Sequence, residues 1–227
     1  MGLSMTESHF SARPGAGVFI TFEGTEGGGK STQIQRLEQR LRSRGRQVRL
    51  LREPGGTPIG EEIRHTLKHS DNNRAMTPEA ELLLLNASRA QLVREVIRPA
   101  LDAGEVVLCD RFLDSTVAYQ GHGRGLDLDQ VRAIIDFAVG TTRPHLTLLL
   151  AVPVEVSERR RAARSGNEPV MRDRFEEENR EFFSKVEAGF RFQAEREPSR
   201  IRIIDASAAI EVVEAQIWSS VAPFFPS

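Results

Sequence analysis

Five short apolar runs punctuate the chain, at residues 18–22, 47–51, 106–109, 146–152 and 200–204. Each is rich in Val, Ile, Leu or Phe, the composition of strands buried on both faces of a parallel sheet. Between them the period changes. Residues 31–44 place Ile34, Leu37 and Leu41 on one helical face, and residues 127–140 do the same with Val131, Ile134, Ile135 and Ala138. This alternation predicts an α/β fold: a doubly wound, five-stranded parallel sheet flanked by helices. The stretch between the second and third runs is longer than a crossover requires. It carries one helix at 59–68 and another at 78–101, the latter with four consecutive leucines, Leu82, Leu83, Leu84 and Leu85. Consecutive positions spread around a helix, so this one is apolar on several sides and is expected to supply an interface as well as a core face. Residues 155–196 are charged and interrupted by Ser165-Gly166-Asn167-Glu168-Pro169. That segment reads as helix, hinge, helix, with a mobile lid at about 155–175.

Composition narrows the picture. At 227 residues the chain suits one sizeable domain, expected at 18–227. Residues 1–17 are polar and lack an apolar signal core, so they are expected to be a disordered N-terminal extension. The formal net charge is −1, which provides no global field to recruit nucleic acid or a membrane surface, and neither is expected as a partner. No apolar run approaches the ~18–20 residues of a membrane span. The single cysteine, Cys109, lies in an apolar run. It gives no disulfide framework and fits a reducing, cytoplasmic compartment.

The chemistry begins after the first run. Gly24-Thr25-Glu26-Gly27-Gly28-Gly29-Lys30-Ser31 fits the phosphate-binding P-loop pattern G-x-x-x-x-G-K-[ST]. A strand precedes it and a helix follows, as the mechanism needs. The glycines let backbone N–H groups turn toward phosphate oxygens, and the helix N-terminus adds positive potential. Gly24, Thr25, Gly27, Gly28, Gly29, Lys30, Ser31 and Thr32 are the expected ATP phosphate contacts. Lys30 would reach the β- and γ-phosphates, and Ser31 would ligate Mg²⁺. The third run ends in Asp110-Arg111, an apolar strand closed by a carboxylate, so Asp110 is the second expected metal ligand. Arg52-Glu53-Pro54-Gly55-Gly56-Thr57 closes the second run and offers a phosphate or substrate contact through Arg52. Arg159, Arg160, Arg161, Arg164, Arg172 and Arg174 crowd the lid. Arginines on a mobile lid can neutralise the charge that phosphoryl transfer spreads over equatorial oxygens. His65 and His69 stand four apart but lack a third ligand, so no metal is expected there. Phe182, Phe183, Phe190 and Phe192 read as core or interface residues.

Taken together these motifs resemble thymidylate kinase of the bacterial type. The similarity is carried by Phe22-Glu23-Gly24 running through the P-loop to Thr32, by Arg52 to Thr57, by Ser88-Arg89-Ala90-Gln91, and by Asp110-Arg111-Phe112 leading into Ser115-Thr116-Val117-Ala118-Tyr119-Gln120-Gly121. The resemblance implies the P-loop kinase fold with a lid. It implies transfer of the γ-phosphoryl of ATP to dTMP with Mg²⁺, giving dTDP for dTTP synthesis, in a cytoplasmic homodimer. It places Glu26 near the acceptor sugar and phosphate, Arg89 and the Thr116–Gln120 pair on the thymine edge, Arg111 on the acceptor phosphate and Tyr119 against the sugar 2′ position. Gly27 stands where another branch of the family carries an arginine, and the bacterial type moves that charge to the lid, here to Arg160 or Arg164. Leu85 occupies the position where the family usually stacks a Phe on the base. An aliphatic platform covers a base by dispersion without the π-face contribution, which is about 1–3 kcal/mol per base in single-strand binders. A regulatory GTPase would need N-K-x-D, and none of Lys30, Lys68 or Lys185 follows an asparagine. A kinase for a different acceptor fits the 110–120 spacing poorly. A non-catalytic nucleotide-binding module would not need Lys30, Ser31, Asp110 and the arginine lid together.

Overall fold

The computed structural model describes residues 16–153, 155–157, 159–160, 174–175 and 177–226. Five parallel strands form one sheet in the order β2-β3-β1-β4-β5, where β1 is Val18–Glu23, β2 Val48–Arg52, β3 Val106–Asp110, β4 Leu146–Ala151 and β5 Ile201–Asp205. The helices are α1 (Lys30–Arg42), α2 (Pro58–Lys68), α3 (Pro78–Leu92), α4 (Arg98–Asp102), α5 (Leu113–Thr116), α6 (Leu128–Val139), α7 (Arg180–Arg196) and α8 (Ile210–Val221). Central β1 is buried at every position. Its alternation divides the core: Val18, Ile20 and Phe22 pack with Ile34, Leu37 and Leu41 of α1 and with Val213, Ile217 and Val221 of α8. Phe19 faces the other layer, with Leu92, Val93 and Ile97 from the long helical stretch and Val131, Ile135 and Val139 of α6. Each such side chain contributes about 1.5–3 kcal/mol on burial.

The strands fall within a residue or so of the expected runs, but two differ in character. β2 and β5 are edge strands, and Leu50 and Ile203 are 39% and 53% exposed, not buried on both faces. The single helix expected at 78–101 is instead α3, a π-helical turn over Val93–Ile97, and α4. Pro99 explains the break. It has no N–H to return to the preceding turn, and the Arg98 N–H reaches back to Val93 O. A second π-helical stretch, Val117–Gly123, follows α5 and carries Tyr119 and Gln120.

The first fifteen residues of the expected extension lie outside the described residues, as does most of the expected lid. Gly17 is buried, and its N–H donates to Leu101 O at 3.2 Å. No helix among the described residues is long and apolar enough to cross a membrane.

Candidate active site

Strand register sets the site. Across the sheet Arg52 pairs with Asp110, and Asp110 pairs with Phe22, so the chains that leave β2, β3 and β1 emerge side by side at the carboxyl edge. Open α/β sheets bind ligands at that edge. A cavity of about 560 Å³ opens there. Glu26, Gly27, Gly28, Gly29, Lys30, Ser31 and Thr32 line it, with Arg52, Leu85, Arg89, Asp110, Arg111, Thr116, Tyr119, Gln120 and Arg160. Gly24 and Thr25 sit one layer behind, and their carbonyls accept from Lys30 Nζ at 3.1 and 3.2 Å. Arg164 lies outside the described residues.

The glycine loop adopts backbone conformations that side chains resist. Gly24, Gly27 and Gly29 have φ of 123°, 80° and 83°. A Cβ on Gly27 would stand 2.7 Å from Ser157 O. The same residue's hydroxyl donates to Glu26 O at 2.5 Å, so the chain before the lid is fastened onto the loop. Arg160 Nη1 donates to Ala206 O at 3.0 Å and to Gly27 O at 3.4 Å. Lys30 is nearly buried. Desolvation, with Arg111 nearby, lowers its pKa to about 8, against the opposing pull of Asp110, Glu26 and Glu23. Asp110 Oδ1 is buried with no hydrogen-bond partner among the described residues, and Ser31 is exposed at the start of α1. An orphaned carboxylate oxygen in a cavity that a P-loop hydroxyl also lines suits a hard divalent cation.

Arg111 is held in a left-handed conformation, φ 69°, which is unusual outside glycine. Its N–H donates to Phe22 O at 2.9 Å, Nη1 donates to Ser115 Oγ at 3.1 Å, and Nη2 stands 4.0 Å from Glu26 Oε1. Glu23 secures this turn from behind. It accepts from Phe112 N at 2.8 Å, Ser115 N at 3.2 Å and Ser115 Oγ at 2.5 Å. Burial, reinforced by Asp114, pushes the Glu23 carboxyl up to about 7.

Arg89 is 2% exposed and nearly saturated: Nε donates to Glu53 Oε2 at 2.8 Å, Nη1 to Asn86 Oδ1 at 3.1 Å and Nη2 to Phe112 O at 3.1 Å. With Nη2 also 2.6 Å from Glu53 Oε2, all three guanidinium nitrogens are engaged, so whatever Arg89 reads with its remaining N–H it reads from a fixed pose. Arg52 turns partly away from the cavity, donating to Glu61 Oε2 at 2.8 Å and Pro54 O at 3.0 Å. Arg174 is not free to serve as a lid cation. It donates to Glu81 Oε2 at 3.0 Å, to Met76 O at 2.9 Å and to Asn73 O.

Sequence reasoning missed several cavity residues. Phe175 and Phe183 line the wall beside Tyr119, and Phe175 meets the Tyr119 ring edge-on at 6.3 Å. Phe182, Phe183 and Phe190 are buried with Tyr119 and Leu149, so the cluster is core with one member at the cavity. Their spacing along a charged helix carried no sign of which ring would face a ligand. His65 and His69 stand 6.3 Å apart, and the described residues hold no cluster of metal-ligating side chains.

A family model described as thymidylate kinase matches residues 22–217. A thymidylate kinase of Syntrophotalea carbinolica is 50% identical over 204 residues, covering 88% of this chain and 93% of that protein. One from Pseudomonas syringae pv. tomato is 49% identical over 201 residues, covering 88% and 93%. The crystal structure of thymidylate kinase from Ehrlichia chaffeensis superposes with a TM-score of 0.71 at 30% identity, over 91% of this chain and 99% of that one.

Proposed function

Because the chain belongs to the thymidylate kinase family, it phosphorylates dTMP to dTDP at the expense of ATP, and we propose that the cavity at the carboxyl edge of the sheet is where it does so. One observation carries this reading: the P-loop, Arg111 and the 116–120 segment share a single cavity. The donor phosphates lie on the loop N–H groups and Lys30, and the acceptor nucleoside extends toward Thr116, Tyr119 and Gln120. Arg111 stands between them and binds the acceptor phosphate, with Glu26 beside it to hold the guanidinium in place.

Transfer then needs positioning and charge neutralisation more than proton chemistry, since a phosphate oxygen is already an anionic nucleophile at neutral pH. Lys30 releases the two carbonyls that hold it and follows the γ-phosphoryl as charge develops. Arg160, already against the Gly27 carbonyl, and Arg164 carry the charge that Gly27 cannot. Ser31 and the orphaned Asp110 oxygen would hold Mg²⁺, which when bound supplies charge neutralisation across the β- and γ-phosphates. Arg89 and Gln120 read the thymine edge over the platform of Leu85, and Tyr119 excludes a 2′-hydroxyl.

We read residues 18–227 as one kinase domain with its lid at about 155–175, acting in the cytoplasm as a homodimer without nucleic acid or membrane partners. The dimer reading rests on α3 and its neighbours. Leu82 and Leu85 are buried, but Leu83 is 56% exposed, and Ile59 on α2 and Phe137 on α6 are 46% and 83% exposed. α3 packs against both of those helices. A coupled assay with ATP, Mg²⁺ and a panel of nucleosides and monophosphates tests the site's acceptor. Turnover with dTMP well above every other acceptor is expected; preference for another acceptor would overturn the reading.

A further inference from the structure

Glu81 touches none of the reacting groups in the scheme above, yet it is wholly buried, with 0% of its surface exposed. Its carboxylate is saturated. Oε1 accepts from Gln120 Nε2 at 2.8 Å and Arg124 Nε at 3.0 Å, and Oε2 accepts from Arg124 Nη2 and Arg174 Nε, both at 3.0 Å. All four partners are N–H donors, three of them on guanidinium groups, so both carboxylate oxygens serve here as acceptors.

The consequence falls on Gln120. An amide can sit either way round, presenting N–H donors or a carbonyl acceptor to a given neighbour. An acceptor-only partner removes the choice: Nε2 must face Glu81, and Oε1 must face away. Gln120 lines the cavity beside Thr116 and Leu85, and among the described residues its side chain bonds only through Nε2, to Glu81. The cavity is therefore offered a hydrogen-bond acceptor, which selects an N–H on a base edge. Thymine carries that donor at N3, whereas cytosine carries an acceptor at N3.

The same carboxylate gathers the base of the lid. Arg174, besides its bond to Glu81, donates its main-chain N–H to Lys68 O at 3.2 Å and a guanidinium N–H to Met76 O at 2.9 Å. Arg124 Nη1 reaches Glu178 Oε1 at 2.5 Å. Residues from α3, the Val117–Gly123 stretch and the chain that enters α7 thus converge on one anion.

We propose that Glu81 is a positioning residue for base selection: it fixes the Gln120 amide with its carbonyl oxygen toward the ligand, and through Arg174 it ties that orientation to the seating of the lid base. This rests on Gln120 reading the base, as above. A glutamate is needed for it. A glutamine at 81 could turn its own carbonyl or its own amide toward Gln120, and either orientation of Gln120 would then find a partner.

The test is a ratio, kcat/KM for dTMP over kcat/KM for dCMP, which share sugar and phosphate and differ at the base edge. In the full chain, Glu81→Gln is expected to lower the ratio by about tenfold or more, the scale of one mismatched buried hydrogen bond, with KM for dTMP rising more than kcat falls. Gln120→Leu is measured alongside. If the wild-type ratio survives Gln120→Leu, Gln120 does not read the base and the underlying reading fails. If the ratio collapses in Gln120→Leu but is unchanged in Glu81→Gln, the inference about Glu81 is overturned, whatever Glu81→Gln does to melting temperature or kcat. Arg124→Met keeps the contact between Glu81 and Gln120, and should leave the ratio within about twofold of wild type. A loss there as large as in Glu81→Gln would assign the effect to general loosening and overturn the inference as well. Should Glu81→Gln not fold, Glu81→Asp preserves the charge, withdraws the carboxylate by one methylene, and is read by the same ratio.

Discussion

The Arg111 guanidinium carbon lies 5.1 Å from the centroid of the Tyr119 ring. The tyrosine therefore has two expected duties, closing the space at the sugar 2′ position and backing the cation that binds the acceptor phosphate. A cation–π contact of this kind is worth about 0.5–2 kcal/mol. Tyr119→Ala should narrow the gap between dTMP and its ribo-analogue in kcat/KM, and raise KM for dTMP by about twofold to thirtyfold. Tyr119→Phe keeps the ring and should keep both properties. An unchanged ratio in Tyr119→Ala would move 2′ discrimination to another residue.

Lys30 combines a fixed place with a shifted acidity. Lys30→Ala should lower kcat by at least about 10²–10³ while the melting temperature changes little. The pH dependence follows from the sign of the shift. Burial lowers the Lys30 pKa from 10.5 to about 8 in the ligand-free protein. The ammonium form binds phosphate, so it is lost from the free enzyme as pH rises through about 8. kcat/KM for ATP should therefore fall on the alkaline side of that value. In Lys30→Arg the alkaline limb should move above the assay range, because a guanidinium stays charged. A wild-type profile flat to pH 10 would show that Lys30 does not control the limb.

For the lid, Arg160→Ala and Arg164→Ala are expected to lower kcat much more than they raise KM for dTMP, the mark of an interaction made in the transition state. Arg160 has a guanidinium that already rests on the Gly27 carbonyl. If neither variant loses more than a few-fold in kcat, these arginines are a solvated face. Arg174→Ala should behave differently. It opens the Glu81 cluster, and lowered stability is the first expected effect, read by thermal melting.

The parts of the site legible in the sequence were those whose function is carried by backbone and local spacing. A P-loop needs glycines at fixed offsets between a strand and a helix, and Asp110 ends an apolar run, so both can be read without knowing the fold. The buried acids were not legible. Glu23 acts on Ser115, Glu53 on Arg89 and Glu81 on Gln120, pairings 92, 36 and 39 residues apart in the chain, which only sheet order and helix packing create. Edge strands were misjudged for a different reason. Val48–Arg52 and Ile201–Asp205 each carry an arginine, Arg49 and Arg202, at their second position, and that interruption of the apolar run already fits a strand with one open side. The π-helical turn at 93–97 had a visible cause in Pro99, but its form depends on how the following helix docks.

The exposed apolar side chains on α2, α3 and α6 lead to a prediction about assembly. Sedimentation equilibrium at micromolar concentration should give a species of twice the 25.3 kDa chain mass. Phe137→Glu, placed on an 83% exposed side chain, should shift it toward monomer without loss of secondary structure. A clean monomer for the wild-type protein would refute the dimer and leave Leu83 and Phe137 as ordinary surface residues.

The conformation of Gly27 bears on how this lineage can evolve. With φ of 80° and a carbonyl 2.7 Å from where a Cβ would be, the loop cannot accept a side chain at that position without moving the chain before the lid. An arginine in the loop and arginines on the lid are then alternative solutions, not interchangeable parts. A single codon change at Gly27 strains the loop before any benefit can be realised, and a compensating shift at Ser157 has no value until the arginine is present. The first change is unfavourable alone and the second brings nothing until the first is made, so backbone geometry, apart from any demand of the chemistry, stands against a charged side chain in this loop.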